Sequence, residues 1–270
     1  MNEDARAIQR LREGTGTFGR ELEFLDSVDS TNRVAADRAE AGAPEGTTIV
    51  AETQLAGRGR RGRTWVSPPG VNLYFSVVLR PGVAPARIGQ LPLVAAAALH
   101  RALAAFAPSV TTLIKWPNDI LAGGGGKLAG ILCEAGIEAD AVRHAVVGIG
   151  VNVNALTFPA ELAGVATSLA LESGAEHPRS GLLAAALHAL EEDYRRWCAG
   201  PDLTAFLPYL REHSALRGRA VSVEGPGGER IGRVEGISPA GELLLRDAGG
   251  RTVKITSGDV RVIPVSLAAG

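Results

Sequence analysis

Hydrophobic and polar positions divide the chain into two regions with different periodicities. Up to about Leu216, stretches with apolar residues at helical spacing alternate with β-branched and aromatic runs. Beyond Leu216, short β-rich runs are separated by turns such as Gly225–Gly228 and Ala248–Gly250. The pattern predicts a large domain in which helices and strands alternate, followed by a small all-β barrel. We place the boundaries at 1–20 for a short N-terminal segment, 21–215 for the large domain and 216–270 for the barrel.

Both regions give specific element predictions. Residues 1–20 form at most one or two helical turns. The strands predicted in the large domain are Glu21–Val28, Thr47–Glu52, Val71–Leu79, Val110–Lys115, Lys127–Glu134 and His144–Val153, the last two forming a hairpin. The predicted helices are Asn32–Ala41, Leu91–Ala107, Leu182–Cys198 and Leu203–His213. The predicted barrel strands are Ala220–Glu224, Arg230–Ile237, Leu243–Leu245, Val253–Thr256 and Val260–Val265.

Charge and composition narrow the classes of protein. The formal net charge is −1, so no overall field attracts nucleic acid or an anionic membrane. Cys133 and Cys198 have neither disulfide-framework nor zinc-site spacing, and the charged N-terminus lacks the apolar stretch of a signal peptide. His100 and Arg101 interrupt the most apolar helix, which we interpret as a core helix. A cytoplasmic location without membrane contact is expected.

One segment combines arginine and glycine between two predicted strands. This segment, Gln54–Gly70, is called the arginine loop, and it contains Arg58, Arg60, Arg61 and Arg63 interspersed with Gly57, Gly59 and Gly62. Guanidinium groups bind phosphate and carboxylate oxygens, and glycine permits close backbone approach. A flexible nucleic-acid-binding segment or a solvated loop has the same composition. The position between apolar strands favours an anion site, with a loop that orders over its ligand.

A second candidate segment follows the predicted strand Val110–Lys115. Asn118 and Asp119 offer hard oxygen ligands for a magnesium–phosphate group, but Pro-Asn-Asp is also a common turn, and composition alone favours the turn. Lys127 begins a strand in which Gly130 would let a ligand approach the sheet, although an ordinary strand-edge lysine is the alternative.

Several common signatures are absent from the sequence. Leu121 and Leu128 break the P-loop pattern around Gly123–Lys127, and Val153 breaks the dinucleotide fingerprint that Gly148 would begin. The five histidines lack metal-ligand spacing, and no serine or cysteine lies in a nucleophile-elbow motif. A hydrolase triad is therefore not expected.

A polar cluster marks the start of the first predicted helix. Ser30, Thr31 and Asn32 follow a strand, and a capping side chain there is worth about 1 kcal/mol. Arg33 and Val34 do not complete a capping box, so the hydroxyls are also available to a polar ligand. Both roles are compatible.

Taken together, the segments Asp29–Asn32, Glu52–Trp65, Lys115–Asp119, Lys127–Leu132 and Gly148–Asn152 closely resemble the biotin-protein ligase family in order and spacing. The resemblance covers roughly residues 20–265. It implies a mixed-sheet α/β catalytic domain similar to class II aminoacyl-tRNA synthetases and lipoate ligases, followed by an SH3-like barrel. Members that double as repressors carry an N-terminal winged helix-turn-helix, and only residues 1–20 precede the first predicted strand. The resemblance therefore predicts a monofunctional ligase without DNA binding.

The resemblance also implies substrates and site residues. The ligase would form biotinyl-5′-AMP from biotin and ATP with Mg²⁺, and then biotinylate a lysine of a biotin carboxyl carrier protein domain. The residues it implies for catalysis are Arg58, Arg60 and Lys127. Those it implies for biotin are Ser30, Thr31, Asn32, Gln54, Gly57, Arg58, Arg60, Lys127 and Gly130. Those it implies for ATP are Arg60, Arg63, Trp65, Asn118, Asp119, Lys127, Asn152, Thr167 and Ser168, with Asn118 and Asp119 as candidate magnesium ligands.

Three alternative functions and the oligomeric state stay open at the level of the sequence. A lipoate or octanoate ligase would share the fold but should lack the GRGRRGR block. A nucleic-acid-binding protein would use the arginines, and a biotin sensor would bind without catalysis. Family members include monomers and dimers, so a homodimer is possible.

Overall fold

A seven-stranded mixed sheet forms the centre of the large domain in the computed structural model, which describes residues 16–264. The strand order is β1-β2-β3-β7-β6-β5-β4. β1 runs parallel to β2 and all other neighbours are antiparallel. The strands are β1 (Leu22–Val28), β2 (Thr48–Gln54), β3 (Leu73–Leu79), β4 (Thr112–Lys115), β5 (Asp119–Ala122), β6 (Lys127–Glu138) and β7 (Ala141–Val151).

Helices cover both faces of this sheet. They are α1 (Thr31–Glu40), α2 (Leu91–Phe106), α3 (Leu169–Ser173), α4 (Arg179–Ala199) and α5 (Leu207–Glu212). Ala35 and Ala39 of α1 pack with Ile49, Val78 and Val146. The alternate strand residues, such as Val50 and Val77, belong to the larger core that α2 and α4 cover. Because successive strand side chains point to opposite faces, the sheet lies between α1 and the α2–α4 pair.

Helix α2 is buried, as its apolar composition predicts. With the preceding turn, Pro85–Phe106 is long and apolar enough to cross a membrane, and 67% of its most apolar window is buried within the fold. Eleven of its residues, from Leu91 to Leu103, are buried. Small alanines let α2 approach α4 and the sheet closely. The interpretation as a core helix agrees with this packing.

The C-terminal region is a second sheet in which all neighbouring strands are antiparallel. Its strands are β8 (Ala220–Gly225), β9 (Gly228–Ile237), β10 (Leu243–Arg246), β11 (Thr252–Ile255) and β12 (Asp259–Val262), in the order β11-β10-β9-β8-β12. Gly228, at φ +84°, completes the tight β8–β9 turn. The indole of Trp116 donates to the Gly241 carbonyl at 2.9 Å and connects this sheet to the large domain. The architecture confirms the predicted α/β domain followed by a small all-β domain.

The structure also corrects several element predictions. Strand β5 and helix α3 were missed, because each contains only four or five residues. The predicted helix Leu203–His213 consists of a 3₁₀ turn at Thr204–Phe206 followed by α5. The predicted hairpin is confirmed, and β6 extends to Glu138. The predicted turns before residue 16 and the strand end at Val265 lie outside the described residues.

Candidate active site

A cavity of about 380 Å³ opens where the arginine loop crosses strands β6 and β7. The turn between β4 and β5 forms a second wall, and residues 258–261 of the C-terminal sheet also contribute. Most predicted site residues line this cavity. They are Ser30, Thr31, Asn32, Gln54, Arg58, Arg60, Arg63, Trp65, Asn118, Asp119, Lys127, Gly130 and Asn152.

Glycines on β6 and β7 allow side chains to lie directly on the sheet. Gly130 and Gly150 are register partners, and a Cβ at Gly150 would lie 2.6 Å from Nε1 of Trp65. A Cβ at Gly130 would lie 2.9 Å from the same indole, at Cζ3. Real Cβ contacts are never this short, so both positions require glycine for the tryptophan to pack here. The buried Nε1 of Trp65, which faces Gly150, has no hydrogen-bond partner among the described residues.

Lys127 is held between an acidic and an aromatic side chain. Its Nζ lies 2.7 Å from Oδ1 of Asp119 and 5.4 Å from the ring centroid of Trp65. An ammonium over an indole face is a favourable cation–π arrangement. The lysine therefore reaches over Gly130, and a new anion in the cavity would compete with Asp119 for it.

Three further cations surround the same end of the cavity. Arg60 Nη1 donates to Oδ1 of Asn118 at 3.2 Å, and burial lowers the pKa of Arg60. Burial also lowers the pKa of Lys115, with the neighbouring charge of Lys127 acting in the same direction and that of Asp119 opposing it. Arg63 is bound by Asp259 instead. We call the group Arg60, Lys115, Asn118, Asp119 and Lys127 the anion end.

The arginine loop is attached to the C-terminal sheet. Asp259 Oδ2 accepts from Arg63 Nη2 at 2.6 Å and from Arg61 Nη1 at 3.3 Å. Arg61 has φ +55° and Gly62 has φ +74°, so the loop turns through two left-handed residues. This turn presents Arg61 and Arg63 to the second domain. Sequence analysis gave no role to Asp259, since it lies 196 residues from Arg63.

The opposite end of the cavity is formed by polar side chains that carry no charge. Gln54 Oε1 accepts from the Thr31 backbone N–H at 2.9 Å and from Thr31 Oγ1 at 3.2 Å. Ser76 Oγ lies 2.8 Å from Thr31 Oγ1 and donates to Asn32 Oδ1 at 2.7 Å. Ser30 is buried beside them at the N-terminus of α1. We call the group Ser30, Thr31, Asn32, Gln54 and Ser76 the head-group end.

The capping interpretation of Ser30 is wrong in its detail. Ser30 occupies the N-cap position of α1, but its side chain makes no capping hydrogen bond. Gln54, from the end of β2, accepts from the backbone N–H of Thr31 at the first position of the helix. The hydrogen bond at the helix N-terminus therefore comes from Gln54, 23 positions from Thr31. The Ser30 hydroxyl stays available to a ligand.

Three predicted residues do not line the cavity. A Cβ at Gly57 would lie 2.3 Å from the Trp65 carbonyl, so this glycine shapes the loop. Ser168 is fully buried, donates to the Ala155 carbonyl and caps α3. Thr167 donates to Glu172 at 2.7 Å. Asn152 does line the cavity, and it donates to the Lys127 carbonyl at 3.3 Å, so it also supports the strand that carries the lysine.

The turn expected at Pro-Asn-Asp is present. Residues 116–118 form the turn between β4 and β5, with a cis peptide bond before Pro117, and Asp119 begins β5. Asn118 Nδ2 donates to the Ile131 carbonyl at 2.7 Å. Both oxygens proposed as magnesium ligands already face cations, Arg60 and Lys127. No group of three or more His, Cys, Asp or Glu suitable for a metal occurs within residues 16–264.

Sequence reasoning gave no role to four residues that shape this site: Ser76, Lys115, Glu134 and Asp259. Lys115 begins the segment Lys115–Asp119 that carried the resemblance, whereas Glu134 lies two residues beyond the segment Lys127–Leu132. Ser76 lies within an apolar strand, and its position under α1 depends on sheet register. The arrangement as a whole accommodates an elongated ligand with a polar, uncharged head and an anionic tail.

Comparison with known proteins agrees with this geometry. Residues 24–152 match the model of the biotin/lipoate A/B protein ligase family, and residues 217–262 match the biotin protein ligase C-terminal domain. The chain is 38% identical to a biotin--[acetyl-CoA-carboxylase] ligase of Mycobacterium tuberculosis, covering 95% of this chain and 94% of that protein. It is 39% identical to a bifunctional ligase/repressor of Bacillus spizizenii, covering 92% of this chain and 76% of that protein.

A solved structure provides the corresponding three-dimensional match. The biotin protein ligase from Aquifex aeolicus, in complex with biotin and ATP, superimposes with a TM-score of 0.78 at 30% identity. The superposition covers 90% of this chain and 100% of that one. The match includes both the large domain and the C-terminal sheet.

Proposed function

This chain belongs to the biotin/lipoate A/B protein ligase family, and on that premise we propose that it is a biotin-protein ligase. In the first step the biotin carboxylate attacks the α-phosphorus of ATP. The bond between the α-phosphorus and the oxygen that bridges the α- and β-phosphates breaks. Biotinyl-5′-AMP forms, and pyrophosphate leaves. In the second step a carrier lysine amine attacks the acyl carbon and releases AMP.

The observation that carries this proposal is the anion end of the cavity. Two anions must meet in the first step, and at roughly 4 Å they repel by about 4 kcal/mol at an effective dielectric of about 20. Lys127 and Lys115 converge there with Arg60 on a partly buried surface. Preorganised cations at such a place stabilise the charge that develops in the transition state. We assign Lys127 to the reacting carboxylate and α-phosphate.

The head-group end suits the ureido ring of biotin. That ring has two N–H donors and one carbonyl acceptor, and Ser30, Thr31 and Gln54 present hydroxyl and amide groups toward the cavity. Gly130 is assigned to the biotin side of the cavity, because its missing side chain lets the Trp65 indole and Lys127 lie directly on the sheet. Arg58, near this end, is assigned to ordering the loop over biotin.

The arginine loop and Trp65 are assigned to covering the bound intermediate. The loop crosses the cavity and is attached to the C-terminal sheet through Asp259. An acyl-adenylate is an anhydride that water hydrolyses, so excluding water preserves it until the carrier arrives. Arg60 and Arg63 are assigned to the phosphates; Arg63 keeps its Nη2 contact with Asp259 and offers its other N–H groups to phosphate oxygens.

Magnesium is a further proposed component. Asp119 and Asn118 offer a carboxylate and an amide oxygen, the hard donors that Mg²⁺ prefers. A magnesium ion that arrives with the triphosphate would keep several waters and share the phosphate charge. The chain's own contribution would be one or two oxygen ligands rather than a complete metal site.

The proposed protein partner is a biotin carboxyl carrier domain of a carboxylase, in keeping with relatives named biotin--[acetyl-CoA-carboxylase] ligase. A cytoplasmic location accords with that partner. Association into a homodimer stays a prediction that light scattering of the purified chain can test.

Pyrophosphate release tests the first step. Purified chain is incubated with Mg-ATP and either biotin, lipoate or octanoate. We expect release only with biotin. Release with lipoate or octanoate alone would assign the chain to the lipoate-ligase branch of the same family, and no release with any acid would contradict the enzymatic proposal.

A further inference from the structure

Glu134 lies just outside the cavity, yet its carboxylate joins two segments that border it. Oε1 accepts from Arg58 Nη2 of the arginine loop at 2.7 Å. Oε2 accepts from Asn32 Nδ2 of α1 at 2.8 Å. Gly130, Leu132 and Glu134 alternate along β6, so the carboxylate lies on the same face of the sheet as the cavity floor.

The Asn32 side of this bridge has a fixed position. A Cβ at Gly148 would lie 1.7 Å from Asn32 Oδ1, so the amide rests directly on the backbone of β7. Ser76 donates to the same oxygen, and Nδ2 also donates to the Leu132 carbonyl at 3.1 Å. Asn32 is 4% exposed and cannot move without breaking these contacts. Its amide therefore orients the Glu134 carboxylate, which in turn places Arg58.

The head-group end also contacts the far side of the arginine loop. Gln54, bound to Thr31, donates to Ser67 Oγ at 3.0 Å, and Ser67 donates to the Trp65 carbonyl at 3.1 Å. Hydrogen bonds thus run from Arg58 through the head-group end and return to the loop. A ligand that binds Thr31 or Gln54 contacts groups that hold the loop at both ends.

The Arg58–Glu134 pair contributes little to folding. The Arg58 side chain is 51% exposed and that of Glu134 is 35% exposed, and ion pairs this open to solvent add little stability. The contact of Glu134 with Arg58 and Asn32 matters because it determines the position of the Arg58 guanidinium. Asn32 orients the Glu134 carboxylate, and Asn32 itself lines the cavity.

We propose that Glu134 is a positioning residue that couples binding of the biotin head group to the placement of Arg58 and the arginine loop. The inference rests on the proposed function, because it takes biotin as the ligand of the head-group end. It assigns to Glu134 an action through Asn32 and Arg58, without contact to substrate.

The experiment compares Glu134→Gln with the wild-type chain. Glutamine keeps the size and an oxygen acceptor for Asn32 but removes the charge that binds Arg58. Glu138→Gln is the matched control, because Glu138 lies on the same strand and pairs with the nearby Arg143 at the exposed hairpin end. Trypsin cleavage after Arg58, Arg60, Arg61 or Arg63, followed by mass spectrometry, reports the order of the loop.

In the wild type and in Glu138→Gln, biotin should slow cleavage within the loop. In Glu134→Gln this protection should be lost, and the KM for biotin should rise about threefold, the scale of an ion pair that is partly open to solvent, while kcat stays close to the wild-type value. Glu134→Asp keeps the carboxylate on a side chain that is shorter by one methylene, so it should recover part of the protection. This second variant tests the proposal even where Glu134→Gln does not fold.

Wild-type KM and full biotin protection in Glu134→Gln would overturn the inference while leaving the proposed function intact. Failure of the proposed function has a different signature, since the wild type itself would then show neither biotin-dependent pyrophosphate release nor protection. That result would also overturn the coupling to biotin.

Discussion

The Trp65 indole lies directly against Gly150, with only 2.6 Å between Nε1 and the place of a Cβ at that glycine. The two residues come from the arginine loop and from β7, and their contact brings the loop down onto the sheet beside Lys127. A methyl group at position 150 would have to displace the indole and the lysine it contacts.

Gly150→Ala is therefore expected to impair adenylation with little change in fold. Because the displaced indole no longer orients Lys127, kcat/KM for biotin should fall about a hundredfold, as misplacement by about 1 Å does in other sites. Steady-state pyrophosphate release measures the loss. Gly124→Ala is the control, since a Cβ there meets nothing within 4 Å. Equal activity in the two variants would contradict the role given to this contact.

Lys127→Met is expected to remove most of the adenylation rate. Methionine retains the length of the side chain and loses the charge placed where carboxylate and phosphate meet, so kcat should fall about a hundredfold or more. Single-turnover formation of biotinyl-5′-AMP is the appropriate measurement. Lys254→Met, at an exposed pair in the C-terminal sheet, should keep wild-type rates. A rate for Lys127→Met within about twofold of wild type would remove Lys127 from the mechanism.

Asp259→Asn tests whether the C-terminal sheet positions the arginine loop. Loss of the carboxylate frees Arg61 and Arg63 from a partly exposed contact, so the KM for ATP should rise about threefold, with a smaller effect on the KM for biotin. Asp247→Asn is the matched control, because Asp247 pairs with Arg251 inside its own turn. An unchanged KM for ATP in Asp259→Asn would show that the attachment has no kinetic consequence.

Stability should decrease in mild acid because of His100. Burial lowers the pKa of His100 below 6.5, with the charge of His213 acting in the same direction. Its ring nitrogens contact Tyr209 Oη at 2.7 Å and the Thr112 carbonyl at 2.9 Å. The unfolded chain therefore binds the proton more readily than the folded chain. The contribution of neutral His100 to the free energy of unfolding is fully present above pH 6.5. It is lost as the pH falls through the lower pKa that His100 has in the folded chain.

Thermal melts at about pH 5 and about pH 8 check this sign. The wild type should melt at a lower temperature at the acid pH, in part on account of His100, and His100→Gln should show a smaller difference between the two pH values. His188→Gln, which alters an exposed histidine on α4, should retain the wild-type difference. A larger acid destabilisation in His100→Gln than in the wild type would contradict the assignment.

The sequence predicted the elements whose local pattern is strong. The fully buried run of β3 and the apolar helix α2 are long enough for their composition to decide the structure. Four-residue β5 depends instead on pairing with β4 and β6, which no local pattern records. The same reason explains the missed helix α3, whose N-terminus Ser168 caps.

The candidate site was predictable where residues stand close together in the sequence. Arg58, Arg60 and Arg63 share one loop, and Lys127 and Gly130 share one strand. Gln54 as the cap of α1, Ser76 beneath it and Asp259 against the loop depend on contacts between distant segments. Such contacts follow from sheet register and domain packing, so they become visible only in the folded chain.

Transfer of biotin to a carrier lysine through an adenylate is tested most directly by mass spectrometry of an apo carrier domain incubated with the chain, biotin and Mg-ATP. We expect a mass increase of one biotinyl group on a single lysine, dependent on ATP and much slower with Lys127→Met. An unmodified carrier, or modification that proceeds equally without ATP, would contradict it.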